Sequence, residues 1–245
     1  MKIFFLTTVL SMSLCAAPAM AGNTFEKDTI KTSGGDLSIT FIGHGTLMLE
    51  YGGKVIHIDP YSRLADYAKL PKADIIFLTH HHRDHLDLEA LQPIRTAKTI
   101  LVLTEKCAEQ LESGIVMKNG DEATVDGISV KAVPAYNLIH KRDNGQPFHI
   151  KGEGNGYVLN FADTNVYIAG DTENTPEMKA LKNIDIAFLP MNLPYTMTPG
   201  MVADAAKTFK PKVLYPYHYS ETDPSKVIAL LKDIEGVEVR IRRMR

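Results

Sequence analysis

The stretch Thr79-His80-His81-His82-Arg83-Asp84-His85 constrains this chain more than any other. It directly follows an apolar run, Asp74-Ile75-Ile76-Phe77-Leu78, that reads as a buried strand. Four histidines and a carboxylate within six residues form a dense group of potential metal ligands. At the end of a strand they are presented on a loop held by a rigid sheet. The plain alternative is a solvated polar loop or a tag-like run, but a tag sits at a terminus and this run is internal.

The N-terminus has its own signature. Lys2 is a basic n-region, Ile3 to Leu10 an apolar h-region, and Ala19-Met20-Ala21 a small-x-small cleavage site. Residues 1–21 are therefore expected to be a signal peptide, and residues 22–245 a single domain that is periplasmic or secreted. A lipoprotein anchor at Cys15 is the rival, opposed by the bulky Leu14 before it. No other segment is apolar enough to cross a bilayer, so no membrane contact is expected after cleavage. Cleavage leaves 224 residues (245 − 21) and a charge of 26 − 29 = −3, since Lys2 is the only charged residue removed. A weak negative balance without a basic stripe argues against a nucleic-acid partner. Cys107 is left as the lone cysteine, which cannot form an internal disulfide.

Along the remaining chain, Gly22 to Gly35 reads as a polar leader arm. Leu37 to Ile42 alternates with period two, and Leu47 to Tyr51 and Lys54 to Ile58 flank the hairpin signal Gly52-Gly53. Asp87 and Thr104 are candidate N-caps for two helices on either side of a strand over Thr99 to Leu103. Short strands follow around the Asn119-Gly120 and Asp126-Gly127 turns. Pro134 to Gly156 is a long aperiodic segment of the kind that is usually functional. Tyr157 to Phe161 and Val166 to Ala169 form another hairpin, and Thr175-Pro176 and Thr198-Pro199 read as N-cap plus proline. The strand Asp185 to Leu189 and a final βαβ, from Val213 to Ile241, complete the chain. The class is α/β, with mixed sheets covered by helices.

The pattern His80-x-His82-x-Asp84-His85 resembles the signature of the metallo-β-lactamase superfamily of metal-dependent hydrolases. Ile58-Asp59-Pro60, Ala169-Gly170-Asp171-Thr172 and Pro216-Tyr217-His218-Tyr219 match further landmarks. Gly43-His44-Gly45 is similar to an early segment of a Gly-His subgroup of these hydrolases. The resemblance spans nearly all of the chain after residue 21. It implies a four-layer αββα sandwich of two mixed β-sheets flanked by helices, with the site at their common edge. By the same resemblance His80 and His82 hold one metal, Asp84, His85 and His218 a second, and Asp171 bridges them. Asp59 buttresses the site from behind. The ions are one or two divalent metals, zinc foremost, with manganese or iron as alternatives. Asp84 is the catalytic candidate, orienting a metal-bound hydroxide and shuttling its proton.

One position departs from the pattern. Relatives supply a third histidine to the first metal near Val133-Pro134-Ala135-Tyr136-Asn137, where this chain has Asn137, a poor zinc ligand. His140 and His149 are candidate replacements. Tyr136 and His44 are candidate substrate contacts, as are Tyr195 and Met197, although the latter types more often fill core. His57 is expected to be packed, His81 to point away, and Arg240 to Arg245 to be a solvated end. The expected function is exported hydrolysis of a small ester, lactone, amide or phosphoester. The rivals are a non-catalytic metal- or ligand-binding protein and a di-iron oxidoreductase. The sequence does not specify the oligomeric state.

Overall fold

The alternating segments between residues 35 and 58 form an antiparallel meander: β2 (Gly35–Gly43), β3 (Thr46–Tyr51) and β4 (Lys54–Ile58). The computed structural model describes residues 25–245, so the expected signal peptide lies outside the described residues. The expected leader arm is corrected within them. Glu26–Thr32 is a strand, β1, paired antiparallel with β2 over its full length. Its side chains alternate between half-buried and exposed, and only Ile30 is apolar, so backbone pairing rather than a hydrophobic stripe defines it.

Past β4 the sheet turns parallel through β5 (Ile75–Phe77), β6 (Ile100–Leu103) and β7 (Ile115–Val116). Crossovers α1 (Leu88–Ile94) and α2 (Glu105–Ala108) start at Asp87 and Thr104, whose side chains accept N-terminal amides as expected. The period-two rule sorts these strands between two layers. Ile75, Phe77 and Val102 face the space between the sheets. Ile76, Leu78, Leu101 and Leu103 face the helices, with Ala90, Leu91, Ile94 and Cys107.

The second sheet repeats this plan. β8 (Glu122–Val125), β9 (Ile128–Ala135), β10 (Gly154–Phe161) and β11 (Thr164–Ile168) are antiparallel. β12 (Ile186–Pro190), β13 (Val213–Tyr217) and β14 (Glu238–Val239) continue in parallel. Helices α3 (Pro176–Lys179), α4 (Pro199–Phe209) and α5 (Ser225–Leu231) cover its outer face through Met178, Val202, Ala206, Phe209 and Val227. Thr175-Pro176 and Thr198-Pro199 cap and open α3 and α4 as expected. The result is two seven-stranded mixed sheets between helical layers, the αββα sandwich. Among the described residues no helix is long and apolar enough to cross a membrane.

The C-terminal stretch is the second correction. Arg242 pairs with Asp28 at 2.7 Å and lies over the rings of Phe41 and Tyr215, and Met244 is fully buried. Tyr219 N–H donates to the Met244 carbonyl, and His44 N–H donates to that of Arg245. The basic run is anchored beneath β2 by Asp28, an acid on the strand that the sequence pattern did not reveal.

Candidate metal centre

Strand ends carry the candidate residues to one edge of the sandwich. Asp59 follows β4, residues 79–85 follow β5, Asp171 follows β11 and His218 follows β13. His149 comes from the long β9–β10 connection. His44, Asp59 and His218 have left-handed backbone, with φ of 51°, 44° and 44°. Such conformations cost about 1–3 kcal/mol each and persist where surrounding contacts impose them. Two glycines let the chain pass close by. A Cβ on Gly45 would lie 2.8 Å from His85 Cε1, and one on Gly170 2.9 Å from Thr79 Cβ.

Behind the edge, polar partners orient the rings. Asp59, fully buried, accepts from Thr79 N–H at 2.8 Å and Thr79 Oγ1 at 2.6 Å. It also faces His85 Nδ1 at 2.7 Å. With Nδ1–H donating there, His85 Nε2 is the nitrogen turned to the front of the cluster. Thr79 Oγ1 lies 3.1 Å from His80 Nδ1 and fixes that ring likewise. These tautomers are assigned from the partners. The same logic applies at Asn137. Its Oδ1 receives His149 N–H and faces His149 Nδ1, both at 2.8 Å. Its Nδ2 donates to Glu173 Oε1 and to the Tyr195 carbonyl. Asn137 therefore has both side-chain polar atoms engaged, and its Oδ1 holds His149.

The front atoms fall into donor groups. His80, His82 and His149 form one, His80, His85 and Asp171 another, and His44, Asp84, His85 and His218 a third, each with ligand atoms within 4.8 Å of one another. Two nitrogens on a tetrahedral zinc, at about 2.0–2.1 Å from it, stand roughly 3.3 Å apart. His80 Nε2 and His82 Nδ1 are 3.1 Å apart, and His149 Nε2 and Asp171 Oδ2 3.3 Å. His85 Nε2 and His218 Nε2 each lie 3.5 Å from Asp171 Oδ1. The same two atoms lie 3.8 and 3.7 Å from Asp84 Oδ2. His85 Nε2, His149 Nε2, His218 Nε2 and Asp171 Oδ1 are buried without a hydrogen-bond partner. A buried polar atom left so costs about 1–3 kcal/mol, so several converging on one carboxylate fit a divalent cation. His81 and His140 belong to none of these groups.

Charge states agree with that fit. Burial, then neighbouring imidazoles, push His80 well below its ordinary value and His82 down to about 4, which keeps both neutral. Burial opposes ionisation of Asp84 and Asp171, but facing histidines outweigh it and hold both carboxyls well below the usual range. Against burial, Asp171 and Asp59 raise His85 to about 10, and Asp171 raises His218. Those protons compete with a cation for the same carboxylates, so ion binding is coupled to proton release.

A cleft of about 450 Å³ opens onto the cluster, lined by His82, Asp84, His149, Asp171, His218, Arg83, Arg142, Phe148, Asn192 and Tyr195. Of the aromatic candidates, Tyr195 reaches it. Met197 is fully buried, and Tyr136 turns its hydroxyl to Glu177 at 3.0 Å, away from the cleft lining. His44 sits beside the cluster, Nε2 2.9 Å from Asp84 Oδ2 and its ring 3.6 Å from that of His218. His57 is packed, as expected, with Nε2 3.1 Å from the Pro71 carbonyl. Sequence reasoning missed Glu173. Fully buried, it accepts the amides of Leu138, Ile139 and His140, each at 2.7 Å, and so shapes the turn that carries Asn137. Its position two residues after Asp171 was the available signal.

The family model described as the Beta-lactamase superfamily domain matches residues 38–218. The chain belongs to the metallo-β-lactamase superfamily. Within it, the chain is 30% identical over 220 residues to a UPF0173 metal-dependent hydrolase of Pelotomaculum thermopropionicum, covering 84% of this chain and 96% of that one. A crystal structure from Parabacteroides distasonis, provisionally named a metal-dependent hydrolase, is 49% identical with a TM-score of 0.86, covering 91% of this chain and all of that one. Igni18, a metallo hydrolase of Ignicoccus hospitalis, is 26% identical with a TM-score of 0.70, covering 84% and 94%. Together with the clustered donors, these place this superfamily member among the metal-dependent hydrolases.

Proposed function

We propose that this hydrolase cleaves a small ester, lactone, amide or phosphoester at a two-metal centre and works outside the cytoplasm. His80, His82 and His149 would hold one ion, Asp84, His85 and His218 the second, with Asp171 between them. Imidazoles and carboxylates without a thiolate favour zinc, and admit manganese or iron. Bound there, divalent ions lower the pKa of water and polarise the oxygen of the scissile group. The chain's own part is positional. Asp84, ionised and oriented by His44, is placed to take the proton of the attacking water on its carboxylate and return it to the leaving group. Asp59, Thr79 and Asn137 keep the rings aimed, so little reorganisation is needed as charge develops. The signal-peptide pattern of residues 1–21 supports export, with residues 22–245 as the working unit.

The observation that carries this reading is His149 Nε2, buried, unpartnered and 3.3 Å from Asp171 beside His80 and His82. Metal content of the untagged protein tests it. About two ions per chain are expected, falling to about one in His149→Ala, with turnover of nitrophenyl esters lost. Two ions retained in that variant would refute the assignment of the first site. Two ions with no turnover on any probe would leave the binding-protein reading.

A further inference from the structure

The charges lining the cleft are uneven. Apart from Asp84 and Asp171, which belong to the proposed donor set, the charged residues on its wall are Arg83 and Arg142. Both are exposed, and neither pairs with a carboxylate among the described residues. Arg83 projects from the turn in which His85 and Leu86 amides bond back to the His82 carbonyl, one residue before Asp84. Arg142 is braced on the β9–β10 connection. Its amide bonds to the Gln146 carbonyl, its Nη2 lies 3.4 Å from the Phe148 carbonyl, and its guanidinium lies 5.1 Å from the centre of the Phe148 ring. Phe148 in turn stands edge-on to Tyr195 at 5.0 Å, giving that wall a fixed shape. On the two-metal reading, four positive charges face the two carboxylates of the donor set, a surplus of two before the arginines are added. A cleft of this kind strongly favours anions, and a guanidinium fork matches phosphate and carboxylate geometry.

We infer that the substrate carries an oxyanion, a phosphate or carboxylate, which Arg83 and Arg142 bind at the mouth of the cleft. This rests on the proposed two-metal hydrolase reading and narrows its substrate class. Neutral esters and lactones are then poor substrates, and the phosphoester or carboxylate-bearing members of the class are the natural ones.

The test uses zinc-loaded full-length mature protein, as wild type, Arg83→Gln, Arg142→Gln and the double variant, with metal content confirmed in each. Calorimetric titration with inorganic phosphate and with acetate measures binding without turnover. Affinity for one of these anions should fall about tenfold or more in the double variant, the effect of losing a charge-assisted hydrogen bond. In parallel, kcat/KM is compared for bis(p-nitrophenyl) phosphate, p-nitrophenyl succinate and neutral p-nitrophenyl acetate. The preference for the anionic over the neutral ester should shrink by a similar factor, mainly through KM. Dependence confined to the phosphodiester identifies a phosphate, and dependence confined to the succinate a carboxylate. Equal anion affinity in wild type and double variant, or no anion binding by wild type, overturns the inference whatever the activity. Loss of all turnover with arginine-dependent anion binding intact would instead count against the hydrolase reading alone.

Discussion

His149 and Asn137 act as a pair, one presenting a nitrogen and the other holding the ring, and substitution can separate them. Asn137→Ala removes the acceptor for His149 Nδ1 but leaves the donor, so metal affinity should fall about 10–100-fold, the usual effect of losing such a partner. Competition with a chromogenic chelator measures this; unchanged affinity would mean that the ring is held by other means. Gly45 offers a different kind of test. A methyl group there meets His85 at 2.8 Å, so Gly45→Ala should cost about 1–3 kcal/mol as the ring or the strand shifts. A denaturation midpoint equal to wild type would show that the backbone yields freely. By contrast, His81→Ala should leave metal content untouched, because His81 joins no donor group.

At the scale of elements, α1 depends on Asp87. Burial alone would raise its carboxyl, but hydrogen bonds from Ser62 Oγ and N–H and from Glu89 N–H outweigh it and hold the carboxyl below its ordinary value. A depressed folded pKa contributes stability that is present above the unfolded value and lost as pH falls through the folded one. Asp87→Asn keeps a capping oxygen but loses the charge at the helix N-terminus, so it should be less stable at neutral pH by about 0.3–1 kcal/mol. The deficit should begin to close below about pH 4, near the carboxyl's unfolded value, and vanish only as pH falls through the lower folded one. A deficit independent of pH, followed by denaturant titration, would assign the loss to packing. The caps at Asp87, Thr104, Thr175 and Thr198 were legible in the sequence because each is a local hydrogen bond. So were the strands whose own residues form an apolar run or alternate apolar with polar. β1 was not, since its order comes from pairing with β2 rather than from its own residues. The role of Asn137 and the anchoring of the basic tail were equally hidden. Both depend on partners far along the chain: His149 and Glu173 for one, Asp28 for the other.

Across the whole molecule, the candidate ions would tie the two sheets together, because each donor group draws on both. His80 and His82 meet His149 from the second sheet, and Asp84 and His85 meet His218. Removing metal with a chelator should accordingly lower Tm by roughly 10–20 °C if both ions are present at about 100 times their Kd, and restoring them should reverse the shift. Scanning calorimetry decides, and an unchanged Tm in fully stripped protein would sever the link between metal and sheet pairing. The repeated plan of the sheets gives this a consequence in time. A single connection over residues 117–121 joins the first seven strands to the second seven. Four donors are synthesised before it and three after it, with His218 the last. During synthesis the first trio is completed only once His149 follows that connection, and the second only once His218 does. Loading of the second ion must wait for the late strand β13, and on the proposed export the metal it takes is then set by the ions of the compartment where folding finishes, not by those where translation began.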